Sequence, residues 1–172
     1  IGVHAASSDG TSSVLFYLAV YTFLAIGSFA VVAVVGGKDD INHGLDAYKG
    51  LAKRQPVIAS LFTVLLLGQA GIPFTGGFIA KLGVLSAAVD EKSYLLAAIA
   101  IMSAAVAAYV YLRILMAIYS DNEAEILTQD TEVTNGIWIV IGLSAAVTMV
   151  TGLVPEPLVD LARNSIPILV SG

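Results

Sequence analysis

"GQAGIPFTGGFIAKL", Gly68 to Leu82, is the stretch that decides how this chain folds. On both sides of it the sequence is almost entirely Ala, Val, Leu, Ile and Phe. Inside it, Gly71, Pro73, Gly76 and Gly77 fall close together and are followed by the lone lysine Lys81. Proline lacks a backbone donor and clashes with the turn before it. Glycine lowers the cost of non-helical backbone angles. The stretch interrupts an apolar run from about Val57 to Val89. As one straight helix that run would be roughly 50 Å long at ~1.5 Å per residue. A bilayer's hydrocarbon core is only about 30 Å thick, and ordinary tilts of about 20° do not absorb the difference. The run is therefore expected to bend or unwind near Gly71–Gly77.

The rest of the chain says why membrane dimensions are the right ruler. The sequence is 58% hydrophobic and 12% charged, with a mean hydropathy of +0.89. A soluble domain carries about twice that charge, roughly a quarter of its residues. Four apolar spans stand out, at about 14–35, 57–89, 94–119 and 136–154. Only helices and closed barrels satisfy the backbone in lipid. The runs are continuous and do not alternate in ten-residue segments, which excludes a barrel. The expected fold is all-α: a polytopic membrane helical bundle with four transmembrane helices, the second broken near Gly71–Gly77.

A broken helix exposes unpaired backbone groups, which lipid tolerates only where the break is buried in protein or lines water. Freed carbonyls and amides then become polar groups for an ion path. The alternative is a proline kink that only shapes packing. Lys81 is the only charged residue between Arg54 and Asp90. A lysine deep in a membrane costs at least ~2.5 kcal/mol on insertion scales. It lies about two turns, roughly 12 Å, before the polar end of its span, too far for easy snorkelling. The functional reading is a buried ammonium that desolvation brings towards neutrality, able to take a proton from one side and release it to the other. Gln69 and Thr75 are candidate linings of a water path, with Thr63 and Ser86 weaker ones. Tyr109, Tyr111 and Arg113 read as an interfacial belt and a snorkelling arginine. Gly27, Ala30 and Ala33 offer close helix packing.

The loop from Gly36 to Pro56 holds Lys38, Lys49, Lys53 and Arg54. Positive residues favour the cytoplasmic side, so this loop is expected in the cytoplasm and the N-terminal tail, the Asp90–Ser93 turn and the C-terminus outside. In "PEPLVDLARNSIPILVSG" (Pro155–Gly172), Leu158, Leu161, Ala162 and Ser165 fall at helical spacing. A short amphipathic helix at about 158–166, ended before Pro167, is expected. The net charge of −5 leaves no basic footprint for nucleic acid, and the absence of cysteine excludes disulfides and thiolate metal sites. His4 and His43 are far apart in polar segments, and neither is assigned to a metal. The chain opens on Ile1 without the pattern of a signal peptide, and the expectation is the C-terminal part of a longer chain.

"GQAGIPFTGGFIAKLGVL" (Gly68–Leu85) resembles the signature of the antiporter-like membrane subunits of proton-pumping NADH–quinone oxidoreductase, respiratory complex I. "LFYLAVYTFLAIGSFAVV" (Leu15–Val32) resembles the helix that precedes it in that family, and "AAYVYLRILMAIY" (Ala107–Tyr119) the helix that follows. The three lie in register over about Val14 to Val154. The resemblance implies that the four spans match the last four of the family's fourteen helices, and that the second is the broken helix of the outward half-channel. Its charged residue is a lysine in subunit N and a glutamate in subunit M, so Lys81 favours N. By the same resemblance Lys81 is the terminal proton-transfer residue of an electrostatic relay. Its partner residues would stand on preceding helices of the same chain, beyond these residues. NADH, flavin, iron–sulfur clusters and quinone would belong to other subunits, leaving no cofactor or metal site here. The implied partners are the other membrane-arm subunits, those preceding helices and the lipid bilayer; the Ala- and Val-rich spans suggest a bacterial plasma membrane, though the family also has chloroplast relatives. Two rivals share the sequence features: a subunit of a multisubunit sodium/proton antiporter (or the sibling subunit M), and a non-transporting scaffold in which Lys81 only packs or snorkels.

Overall fold

The computed structural model describes residues 8–37, 44–121 and 133–170. His4, His43, Lys38, the first residues of the tail and most of the acidic segment before Asn135 lie outside them. The regular structure among the described residues is helical throughout: α1 (Ser8–Gly36), α2 (Leu51–Arg54), α3 (Pro56–Ala70), α4 (Gly76–Asp90), α5 (Tyr94–Ile118), α6 (Asn135–Leu153) and α7 (Glu156–Val170), with a 3-10 turn at Leu45–Tyr48. Among the described residues, three stretches are long and apolar enough to cross a membrane: Thr11–Gly36, Tyr94–Ile118 and Asn135–Leu153. The long run between them is divided. α3 and α4 have 15 residues each, roughly 22 Å at ~1.5 Å per residue. Each alone is shorter than a hydrocarbon core of about 30 Å, and the two end to end exceed it.

α1 is the central post. Phe16, Val20, Leu24, Val31 and Val34 on it are buried, a stripe at helical spacing. It packs against α3, α4, α6 and α7. On α6 the buried stripe is Ile141, Ser144, Ala145 and Thr148. Gly27 admits the close approach: a Cβ there would run into Ser144 and Leu65. Ala33, by contrast, faces outward. α5 lies at the margin on α3 and α4, and only Ala97, Ala117 and Ile118 of it are buried.

Residues 44–54, ahead of α3, are folded onto the bundle. Tyr48 and Leu51 are buried, and Tyr48 packs on Phe62 with ring centroids 5.8 Å apart. The Arg54 Nη2 donates to the carbonyls of Ala47 (2.9 Å) and Lys49 (3.1 Å). The Gly50 amide donates to the Ala117 carbonyl at 3.2 Å, and Lys53 pairs with Asp121 at 3.1 Å. These ties gather the start of α3 and the end of α5 at one end of the bundle. The exposed Asp46 pairs with Lys49 at 2.6 Å, and the lysine's hydrogen bond and charge hold its carboxyl below the usual carboxylate range.

The C-terminal helix differs from its expected form. It runs from Glu156 to Val170, so its backbone stays helical through Pro167. A proline removes a single donor, and its cost falls near the end of a helix whose other bonds persist. Its inner face is Leu158, Val159 and Ala162 against the core. Leu161, placed on that face by spacing alone, is 62% exposed.

Candidate functional site

At the break between α3 and α4, backbone groups freed from the helix find other partners. α3 ends at Ala70, and Gly71 takes φ 81°, a left-handed angle that glycine adopts without penalty. The Gly71 amide donates to the Leu67 and Gly68 carbonyls, and the Ile72 amide to Leu67. This is the Schellman closure of a helix C-terminus. It leaves two of the last carbonyls, Gln69 and Ala70, without amide donors. The Lys81 Nζ donates to both, at 2.7 Å and 3.1 Å. Lys81 belongs to the second turn of α4, and helical side chains lean towards their own N-terminus. The lysine therefore reaches back to the break, away from the polar end of its span. Its positive charge meets the negative end of the α3 dipole.

The turn itself is tightly constrained. Pro73 lies in the linker rather than inside a helix, and Phe74 is 71% exposed with a left-handed φ of 70°. Gly76 and Gly77 open α4. A Cβ on Gly77 would collide with the Gly68 carbonyl, and one on Gly76 with Thr151 of α6. Gly152 does the same service from α6, where a Cβ would strike the Phe74 carbonyl. Thr75 is buried. Its hydroxyl donates to the Ile72 carbonyl at 2.7 Å and accepts from the Phe78 amide at 3.4 Å, capping α4.

Lys81 and Gln69 line a cavity of about 520 Å³ between α1, α4 and α5, with Tyr17, Tyr21, Tyr111 and Ser103 among its walls. The full burial expected for Lys81 is not met: its side chain is half-buried, because one side of it opens into this cavity. The Gln69 side chain points elsewhere, its Nε2 donating to the Leu24 carbonyl and to Ser28 of α1. The Tyr21 hydroxyl donates to the Gln69 carbonyl at 3.4 Å, the same oxygen that Lys81 holds. Tyr17 stacks on Tyr21, centroids 4.2 Å apart. Thr63 is outside the site, bonding the Ala59 carbonyl and the Tyr119 hydroxyl. Ser86, Tyr109 and Arg113 are exposed and do not join it. Sequence reasoning missed Tyr17, Tyr21, Ser28 and Gly152. The first three stand more than 40 residues of chain before the break, and only the i, i+4 spacing of the two tyrosines on one helix face hinted at a shared role.

The class this structure defines is an apolar helical bundle built around a split helix, with a lysine on the carbonyls of the split. The family described as NADH:quinone oxidoreductase/Mrp antiporter, transmembrane, matches residues 1–107, and the chain belongs to it. Its relatives include NADH-quinone oxidoreductase subunit N 1 of Solibacter usitatus, 33% identical over 96% of this chain and 34% of that protein. Subunit N 3 of Streptomyces griseus is 38% identical over 95% of this chain and 30% of its own length. Subunit N of Salinispora arenicola is 38% identical over 96% and 32%. The chain thus spans about a third of the length of these relatives. Among solved structures, the Mrp complex from Dietzia sp. contains a chain of the same fold, with a TM-score of 0.77 at 19% identity over 94% of this chain and 38% of that one.

Proposed function

We propose that this chain forms part of the proton-translocating membrane arm of an NADH–quinone oxidoreductase, as the outward half-channel of its subunit N, with Lys81 as the proton-transfer residue. The observation that carries the reading is the lysine's position. Its Nζ sits on the Gln69 and Ala70 carbonyls of the split helix and faces a cavity lined by tyrosines. A neutral amine retains two donors for those carbonyls and gains a lone pair, so either protonation state fits the cap. Protonated Lys81 would release its proton to water in the cavity when a neighbouring charge changes. In this reading the remaining two thirds of the length seen in the relatives supplies the other half-channel and the charges that drive the release. Electron transfer takes place in other subunits. The loop 36–56 faces the cytoplasm and the C-terminus the outside of a bacterial plasma membrane.

The test is proton pumping in inverted membrane vesicles carrying the full complex with Lys81→Ala, recording NADH oxidation and the pH gradient together. A sharp fall in both, in an assembled complex, supports the reading. Parent-like pumping and turnover overturn it and favour the scaffold. The family's second branch gives one alternative, a subunit of a sodium/proton antiporter, supported by the fold shared with the Mrp complex. Sodium-dependent transport without NADH oxidation would favour that branch.

A further inference from the structure

The Gln69 carbonyl has two hydrogen-bond partners from different helices. Lys81 of α4 donates to it at 2.7 Å and the Tyr21 hydroxyl of α1 at 3.4 Å. A carbonyl oxygen has two lone pairs, so these two donors fill it. Both donors meet at one acceptor oxygen, so the placement of one is coupled to that of the other. The Tyr21 ring is fixed independently of the lysine by its stack on Tyr17, with planes 15° apart. We propose that Tyr21 is the positioning residue for Lys81: its hydroxyl shares the Gln69 carbonyl while the lysine is charged and donates to the amine lone pair once the proton has left.

The exchange is balanced. The ammonium loses one proton to cavity water and becomes an amine with a free lone pair. The Tyr21 hydroxyl keeps its own proton and only changes acceptor. No other titratable side chain of α1, α4 or α5 among the cavity's walls competes at that oxygen. Tyr17 and Tyr111 line the cavity, but neither is bonded to the Gln69 carbonyl. α3 and α6 contribute no titratable residue to the break. Both actions of the hydroxyl favour the neutral amine. It weakens the hold of the carbonyl on the ammonium, and it donates to the lone pair that only the amine has.

This inference rests on the proton-transfer reading of Lys81, and its test separates the two. Tyr21→Phe keeps the ring and its stack and removes only the hydroxyl. In vesicles carrying the full complex, Tyr21→Phe is expected to lower pumping per NADH oxidised several-fold at neutral pH. It should also move the pH profile of pumping to the alkaline side by about one unit, the effect of a tenfold change in proton occupancy. Replacing Tyr21 with 3-fluorotyrosine, a stronger donor of the same shape, should move the profile to the acid side, and it covers the case in which the phenylalanine variant does not assemble. If Lys81→Ala abolishes pumping while neither Tyr21 variant moves the profile, the positioning role is overturned and the lysine's role stands. If Lys81→Ala is itself silent, both fall. A loss of assembly in Tyr21→Phe together with an unshifted fluorotyrosine profile makes Tyr21 structural and overturns the proposal.

Discussion

α1 and the α3–α4 pair are apolar stretches of nearly equal length that solve the same problem in opposite ways. α1 runs 29 residues without interruption, and its backbone groups pair within the helix. Its Gly27 only lets Ser144 of α6 and Leu65 of α3 approach. The α3–α4 pair is cut by residues 71–75, and its backbone pairs through a left-handed glycine, a capping threonine and a lysine from the following helix. The difference lies in what the sequence places mid-span. Gly27 is flanked by Ile and Ser and the helix continues, whereas Gly71 is followed within two residues by Pro73. One glycine is absorbed. Glycine with proline, followed by Gly76 and Gly77, ends one helix and starts another. An uninterrupted helix spends its mid-span carbonyls on its own amides. In this split one, two carbonyls receive Lys81 instead.

Three substitutions break or sharpen that contrast, in descending size. Gly77→Val places a branched side chain against the Gly68 carbonyl. Backbone cannot swing aside as a flexible side chain does, so the two half-helices separate. The expected penalty exceeds the roughly 1–3 kcal/mol of ordinary overpacking, read as loss of the assembled complex on native gels. Gly71→Ala is milder. A left-handed angle costs an alanine about 1–2 kcal/mol, and the new methyl would meet the Lys81 side chain at 3.0 Å. The complex should assemble with a lower thermal midpoint, and pumping should fall more than NADH oxidation. Asp46→Asn removes the exposed pair with Lys49. Because the carboxyl is held below its ordinary range, the pair is present at neutral pH and disappears only as pH falls through that lowered value. Full exposure and salt screen it, so thermal midpoints of parent and variant should coincide from pH 7 to pH 5.

Much of this was legible in the sequence because the signals were local. Apolar run length gave the membrane class and the all-α bundle. The spacing of Gly71, Pro73, Gly76 and Gly77 marked the break, since those residues act on their own backbone. Lys81 announced itself as a lone charge in an apolar span. Its partners were not legible. Which way a lysine leans, back to the break or on to the water, depends on where freed carbonyls end up in space. Tyr21 and Ser28 meet Gln69 only through tertiary packing. Thr75 reads equally as a water-path residue or a cap, and the start of α4 immediately after it makes it a cap. Pro167 and Leu161 show the limit of spacing rules, since packing on α1 decides which face of α7 is inward.

Lys81 has two separable duties in this account: it caps α3 and it transfers a proton. Lys81→Arg separates them, because arginine keeps the positive charge and the donors but does not deprotonate in proteins. The measurement is the pH gradient formed by inverted vesicles carrying the full complex with Lys81→Arg, alongside Lys81→Ala and a native-gel check of assembly. The account predicts an assembled complex with the cap intact and proton pumping reduced at least tenfold. Pumping at the parent level in Lys81→Arg would contradict it and leave Lys81 as a structural cap of a broken helix.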